Sequence, residues 1–235
     1  MPTFKRWYFC LTRRNEIQIK TNCDLYHSEI KAFSMDPSDM QMNILYLHGF
    51  KSSALSIKGQ QLAQYCERFS PHKVHLPDLN MPPQQVMAEI SAQIERLDRV
   101  ALVGSSFGGF YATQLAAKYR IPAVLINPAM RPWQLFRQRY AAEQWPYQVN
   151  ENWQIDHAQL DYLERIALPA VPDAVKILLL LQQGDEVLDY REAQGYYSQS
   201  QHSALIMTDA QGDHAMQDFA DKIPMLLEFL SYSIK

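Results

Sequence analysis

Val100-Ala101-Leu102-Val103-Gly104-Ser105-Ser106-Phe107-Gly108-Gly109-Phe110-Tyr111-Ala112-Thr113 decides how this chain is read. The apolar run Val100–Val103 has the length and composition of a strand covered on both faces. The stretch Tyr111-Ala112-Thr113-Gln114-Leu115-Ala116-Ala117 reads as a helix. Between them stands G-x-S-x-G, from Gly104 to Gly108. A chain that passes from strand to helix over so few residues must turn sharply. Such a turn holds Ser106 in a strained backbone conformation, with its hydroxyl exposed at the carboxyl end of the sheet. The glycines at 104 and 108 leave room where strand and helix nearly touch. The next amide, Phe107 N–H, faces the place where an oxyanion would form. Two other glycine motifs do not fit: a Walker A loop needs Gly-Lys-Ser/Thr where Gly109-Phe110-Tyr111 stands, and the dinucleotide fingerprint G-x-G-x-x-G is absent.

A serine hydroxyl needs a base within hydrogen-bond reach, and the base needs an acid to orient it. With this turn the chain order is Ser, then Asp or Glu, then His. Of the seven histidines, His27, His48, His72 and His75 precede Ser106. His157 falls in an insertion, and His202 precedes the last strand. His214 remains, in Gly212-Asp213-His214-Ala215 between the last strand and the last helix. A solvated loop histidine is the plainer alternative, and the strand-terminal position with its glycine argues against it. The acid should follow the strand Ile177–Leu181, where Asp185, Glu186 and Asp189 stand. Asp185 is nearest the strand end, whereas Asp189 begins the next helix as a candidate N-cap. A second oxyanion donor should come from the loop after the first core strand, Leu47-His48-Gly49-Phe50, which offers the Phe50 N–H. His48 reads there as a loop former and not as a second base. Six of the 8 glycines (Gly49, Gly104, Gly108, Gly109, Gly184 and Gly212) fall in these four strand-end loops.

Outward from this centre, strand and helix patterns alternate. Strands are expected at 43–47, 73–76, 99–103, 122–126, 175–181 and 203–208. Helices are expected at about 56–69, 84–97, 107–119, 190–199 and 216–232. Alternation with continuously apolar strands implies a doubly wound, mostly parallel sheet. Residues 128–174 are too long for a simple crossover and carry Trp133, Phe136, Tyr140, Trp145, Tyr147, Trp153 and Tyr162. They read as a short helical cap inserted after the fourth core strand. Most of these aromatics should pack the cap onto the body, and a minority should line a pocket. Residues 1–41 lack a sustained period and read as an N-terminal extension to a 42–235 domain. Two accounts of it stand: an upstream overextension of a chain that physiologically starts at Met42 or Met40, and an edge hairpin from Trp7 to Lys20.

A net charge of −3 gives no nucleic-acid footprint and no polybasic membrane patch. No apolar run approaches the ~20 residues of a membrane helix. Cys10, Cys23 and Cys66 are odd in number and lack metal-type spacing. Free thiols and a cytoplasmic location follow as expectations. Neither H-E-x-x-H nor another ligand spacing appears, so no metal and no cofactor is expected.

With these residues in view the chain resembles the α/β-hydrolase superfamily and, more closely, the small bacterial esterases called YqiA-like. The resemblance is carried by Leu45–Phe50, Gly104–Thr113, Ile126-Asn127-Pro128-Ala129-Met130-Arg131-Pro132, Gly184–Tyr190 and Asp213-His214-Ala215. It spans about residues 42 to 235. It implies a compact α/β-hydrolase fold with a short cap, and hydrolysis of carboxylic esters or thioesters. By position, Ser106, Asp185 and His214 match the family's triad. The expected activity is a serine esterase acting on small or medium acyl groups, with a small-molecule ester or thioester as its partner. One alternative is an acyl-CoA or other acyl thioesterase, for which Arg131, Arg137 and Arg139 in the cap would meet an anionic carrier. Another is a non-catalytic small-molecule receptor on the same fold.

Overall fold

A computed structural model describes residues 41–234 except 141, 172 and 200. The expectations for residues 1–40, including the hairpin from Trp7 to Lys20, lie outside the described residues. Six strands, β1 (Asn43–Leu47), β2 (Lys73–His75), β3 (Val100–Ser105), β4 (Ala123–Ile126), β7 (Ile177–Gln182) and β8 (Leu205–Asp209), form one sheet in the order β2-β1-β3-β4-β7-β8. Every neighbouring pair is parallel. The helices between them are α1 (Ile57–Phe69), α2 (Pro83–Arg96), α3 (Phe107–Tyr119), α6 (Tyr190–Ser198) and α7 (Phe219–Ser233).

Side chains alternate across the strands and divide the core in two. Leu45, Leu47, Leu102, Leu125, Leu179 and Leu181 face α2, α3, α6 and the cap. Ile44, Tyr46, Val103, Val124, Leu178 and Leu180 face α1 and α7. Two-sided burial is why β3, β4 and β7 read as unbroken apolar runs. The chain runs from β1 outward to β2, then returns past β1 to β3. Loops leaving β1 and β3 therefore diverge to opposite sides at their carboxyl ends, which opens the crevice where α/β sheets take their ligands.

Local chemistry sets the helix starts. Ser56 caps α1 by accepting the Gly59 N–H, and Pro83 occupies the first position of α2. Asp189 caps α6, accepting the Arg191 N–H at 3.0 Å, which gives this carboxylate a structural task. Several expected boundaries shift by one to three residues, among them the end of β3, which runs on to Ser105, and the start of β7 at Ile177; two others have a visible cause. α7 starts at Phe219 and not at 216, because Met216 has a φ of 51° and cannot continue a helix. β8 starts at Leu205 and not at 203, where its ladder with Leu178 of β7 begins.

The insertion after β4 is not wholly helical. It holds α4 (Pro132–Arg139), a 3₁₀ turn (Ala142–Gln144), the antiparallel pair β5 (Tyr147–Asn150) and β6 (Trp153–Ile155), and α5 (His157–Ile166). Tyr147 pairs with Ile155 and Gln148 with Gln154, and the register then shifts so that Asn150 meets Trp153. Leu160 and Leu163 of α5 join Trp133 and Phe136 of α4 in the core on the cap side of the sheet.

Candidate active site

At Ser106 the backbone takes φ 54° and ψ −118°, a conformation that costs an L-residue on the order of 1–3 kcal/mol. Neighbouring strands hold it there. The Ser106 N–H donates to the Ile126 carbonyl at 2.9 Å, and the Ala129 N–H donates to the Ser106 carbonyl at 3.0 Å. Close approach explains the glycines: a Cβ on Gly108 would lie 2.0 Å from the Leu47 carbonyl oxygen, and one on Gly104 would lie 2.6 Å from that of Gly108. Strand β1 therefore passes directly beneath the first turn of α3.

His214 lies on the loop between β8 and α7, with its Nε2 3.0 Å from Ser106 Oγ. Its Nδ1 lies 2.8 Å from Asp185 Oδ2. The carboxylate can only accept, so Nδ1 carries the proton and Nε2 is left to face the serine hydroxyl. The Asp185 side chain is 2 % exposed. Its other oxygen accepts the Val187 and Leu188 amides, both at 2.8 Å, so the buried charge is fully hydrogen bonded. The loops that carry Asp185 and His214 touch backbone to backbone: a Cβ on Gly184 would sit 2.2 Å from the Gly212 carbonyl oxygen. The structure thus brings Ser106, His214 and Asp185 into one hydrogen-bonded line.

The β1 loop comes to the same place, since a Cβ on Gly49 would lie 3.3 Å from Ser106 Cβ. Neither the Phe50 nor the Phe107 N–H has a backbone acceptor among the described residues. For Phe107 the reason is general, because the first amides of a helix have no intrahelical partner. His48 is turned elsewhere. Its Nδ1 bonds the Gly49 carbonyl at 2.8 Å, and its Nε2 accepts the Leu79 N–H at 2.9 Å, so it shapes the loop.

Three residues that bond the His214 loop were not anticipated. Glu186 Oε2 accepts the His214 N–H at 3.0 Å. Lys58 Nζ donates to the Ala215 carbonyl at 2.7 Å. Burial pushes the Lys58 ammonium down from its ordinary value, partly offset by the Asp213 and Asp185 carboxylates. Asn127 bonds the carbonyls of Asp213 and His214. The Asn-Pro pair after a buried strand was the available signal, since asparagine tolerates the left-handed conformation needed at such a turn.

The cap closes over this centre with aromatic rings. Phe50 packs edge-on against Phe136 with centroids 4.6 Å apart, and lies 6.2 Å from Phe107 and 6.3 Å from Trp153. A cleft of about 180 Å³ runs between residues 129–138 and the loop at 187–192. Ala129 bonds Ser106, and Val187 and Leu188 bond Asp185, so the cleft borders the site. Of the cap arginines, Arg131 pairs with Glu192, and Arg137 with Asp161 and Glu164. Among the described residues no group of three or more His, Cys, Asp or Glu is placed to hold a metal ion, and no helix is long and apolar enough to cross a membrane.

The model of the Uncharacterised protein family (UPF0227) matches residues 43–231, which takes in every residue named in this site. Solved structures share the fold. Alpha/beta hydrolase domain-containing protein 10 from mouse superposes with a TM-score of 0.62 at 18% identity, over 79% of this chain and 86% of that one. An esterase domain from a Rhodothermus marinus protein gives 0.62 at 18%, over 83% and 88%. Est1E from Butyrivibrio proteoclasticus, with ferulic acid bound, gives 0.62 at 14%, over 81% and 87%.

Proposed function

For a chain that belongs to the Uncharacterised protein family (UPF0227), within the α/β-hydrolase superfamily, we propose a serine esterase that hydrolyses carboxylic esters of small or medium acyl groups. The observation that carries this reading is the line from Ser106 Oγ through His214 to the buried Asp185, at 3.0 and 2.8 Å. Ser106 attacks the acyl carbon while His214 Nε2 takes its proton. Asp185 holds the imidazole in the required tautomer and stabilises the imidazolium. The Phe50 and Phe107 amides receive the oxyanion. Collapse of the tetrahedral intermediate expels the alcohol, protonated by His214, and leaves an acyl-Ser106. Water, deprotonated by the same imidazole, then releases the acid.

The aromatic packing of Phe50, Phe107 and Phe136 next to Ser106 supports a short acyl group. Neighbours named as an esterase domain and as Est1E with bound ferulic acid add weight to hydrolase chemistry at low identity. The ion pairs of Arg131 and Arg137 occupy two of the cations that a thioesterase reading would offer to an anionic carrier. Hydrolysis of a p-nitrophenyl ester series by the wild type and by Ser106→Ala tests the proposal. We expect turnover that is highest for short chains and lost in the variant. Equal turnover by the two proteins would contradict it.

A further inference from the structure

Asn127 lies outside the Ser106–His214–Asp185 line, yet its side chain reaches both the end of β7, from which the acid loop departs, and the loop that carries the base. It follows β4 directly, is 3% exposed and has a φ of 40°, a left-handed conformation in which asparagine is enriched. Its backbone N–H donates to the Leu180 carbonyl at 3.0 Å. Its side-chain oxygen accepts the Gln182 N–H at 2.9 Å, at the last residue of β7. Its side-chain nitrogen donates to the carbonyls of Asp213 at 3.2 Å and His214 at 3.3 Å. The partners dictate this orientation, because Gln182 offers a hydrogen and the two carbonyls accept one.

The residues around Asn127 hold the serine. Ile126 accepts from the Ser106 N–H, and Ala129 donates to the Ser106 carbonyl. Residues 126–129 therefore bond the nucleophile's backbone, the strand end from which the acid loop departs, and the base's own carbonyl. The other two side-chain ties to the backbone of the His214 loop come from Glu186, which is exposed, and Lys58, which is half-buried, and both residues are less buried than Asn127. A hydrogen bond shielded from water holds its geometry more firmly than one exposed to it.

We infer that Asn127 is a positioning residue: its amide clamps the His214 loop to the end of β7, three residues before Asp185, and keeps base, acid and nucleophile in register. This inference rests on the esterase reading above. Displacing a reacting group by about 1 Å can cost about 10²-fold in rate. The loss should fall on kcat, because Asn127 is placed behind the base and not in the cleft that borders the site.

The test compares wild type, Asn127→Gly and Asn127→Asp on p-nitrophenyl acetate and with a fluorophosphonate. Glycine keeps the left-handed backbone and removes all three side-chain bonds. Aspartate keeps the shape and loses the amide donors, and it serves if the glycine variant does not fold. We expect kcat and the labelling rate to fall about 10²-fold, KM to stay within about threefold, and the low-field proton resonance of His214 Nδ1–H to broaden or vanish. A merely structural role would lower Tm and leave kcat, labelling and that resonance unchanged in the folded protein; this result overturns the inference alone. A wild type that neither hydrolyses the ester nor labels at Ser106 overturns the esterase reading and the inference with it.

Discussion

Asp185 accepts three hydrogen bonds, two from its own loop and one from His214. Changing it to asparagine keeps the volume but presents an NH₂ or a weaker acceptor to Nδ1, so the imidazole can adopt the wrong tautomer. In Asp185→Asn, kcat for ester hydrolysis should drop by about 10³- to 10⁴-fold with little change in Tm. A steady-state assay beside a melting curve checks both halves. Glu186 and Asp189, the other acids near this strand end, do not occupy that position: Glu186 accepts the His214 backbone amide and Asp189 caps α6. The N-cap place of Asp189 was legible in the sequence, because capping chemistry is a local property. Asn127, Glu186 and Lys58 were not legible as neighbours of His214. Their contacts join residues 28 to 157 positions apart, and no spacing rule reaches that far.

Elements were read well where burial is two-sided and poorly where it is not. β1, β3, β4 and β7 are buried along nearly all their length, and their apolar runs mark them out. β5 and β6 have four and three residues, partly exposed, and their alternation is too short to separate from a helical aromatic stripe. Tyr147/Val149 facing Trp153/Ile155 across Asn150-Glu151-Asn152 was the signal present. The start of β1 carries a prediction of its own. His72 Nδ1 accepts the Met42 N–H at 3.4 Å, and His75 Nε2 donates to Asn43 Oδ1 at 2.9 Å. Burial lowers both histidines below their ordinary 6.5, helped by Arg99 near His72 and by Lys73 near His75. Below 6.5 the unfolded chain therefore binds more protons than the folded one. This contribution to stability is present above 6.5 and is lost as pH falls toward and through the folded values. Melting curves from pH 7.5 to 5 should show Tm falling, and a His72→Gln/His75→Gln variant should fall less steeply. A variant with the same slope as wild type would assign the acid loss to other groups.

At the scale of the whole molecule, strand order places the site. The return from β2 past β1 to β3 sets the Phe50 and Phe107 amides on either side of one crevice, and β7 and β8 deliver the Asp185 and His214 loops to its far side. Alternating strand and helix patterns made this arrangement legible, because parallel pairing and right-handed crossovers leave few other topologies. The cap was legible as an insertion and not in its internal form. β1 begins at Asn43 and the family match at residue 43. A chain beginning at Met42 should therefore fold and hydrolyse p-nitrophenyl acetate at the rate of the 235-residue protein, read from circular dichroism and kcat/KM. Loss of either would mean that residues 1–41 serve the domain.

The central claim is an activated serine, and the most direct measurement of it needs no substrate. Wild type and Ser106→Ala are each treated with a fluorophosphonate and weighed intact. The account predicts one adduct on the wild type, mapped to Ser106, and none on the variant. A folded wild type that stays unmodified, or an adduct that persists in Ser106→Ala, would contradict it.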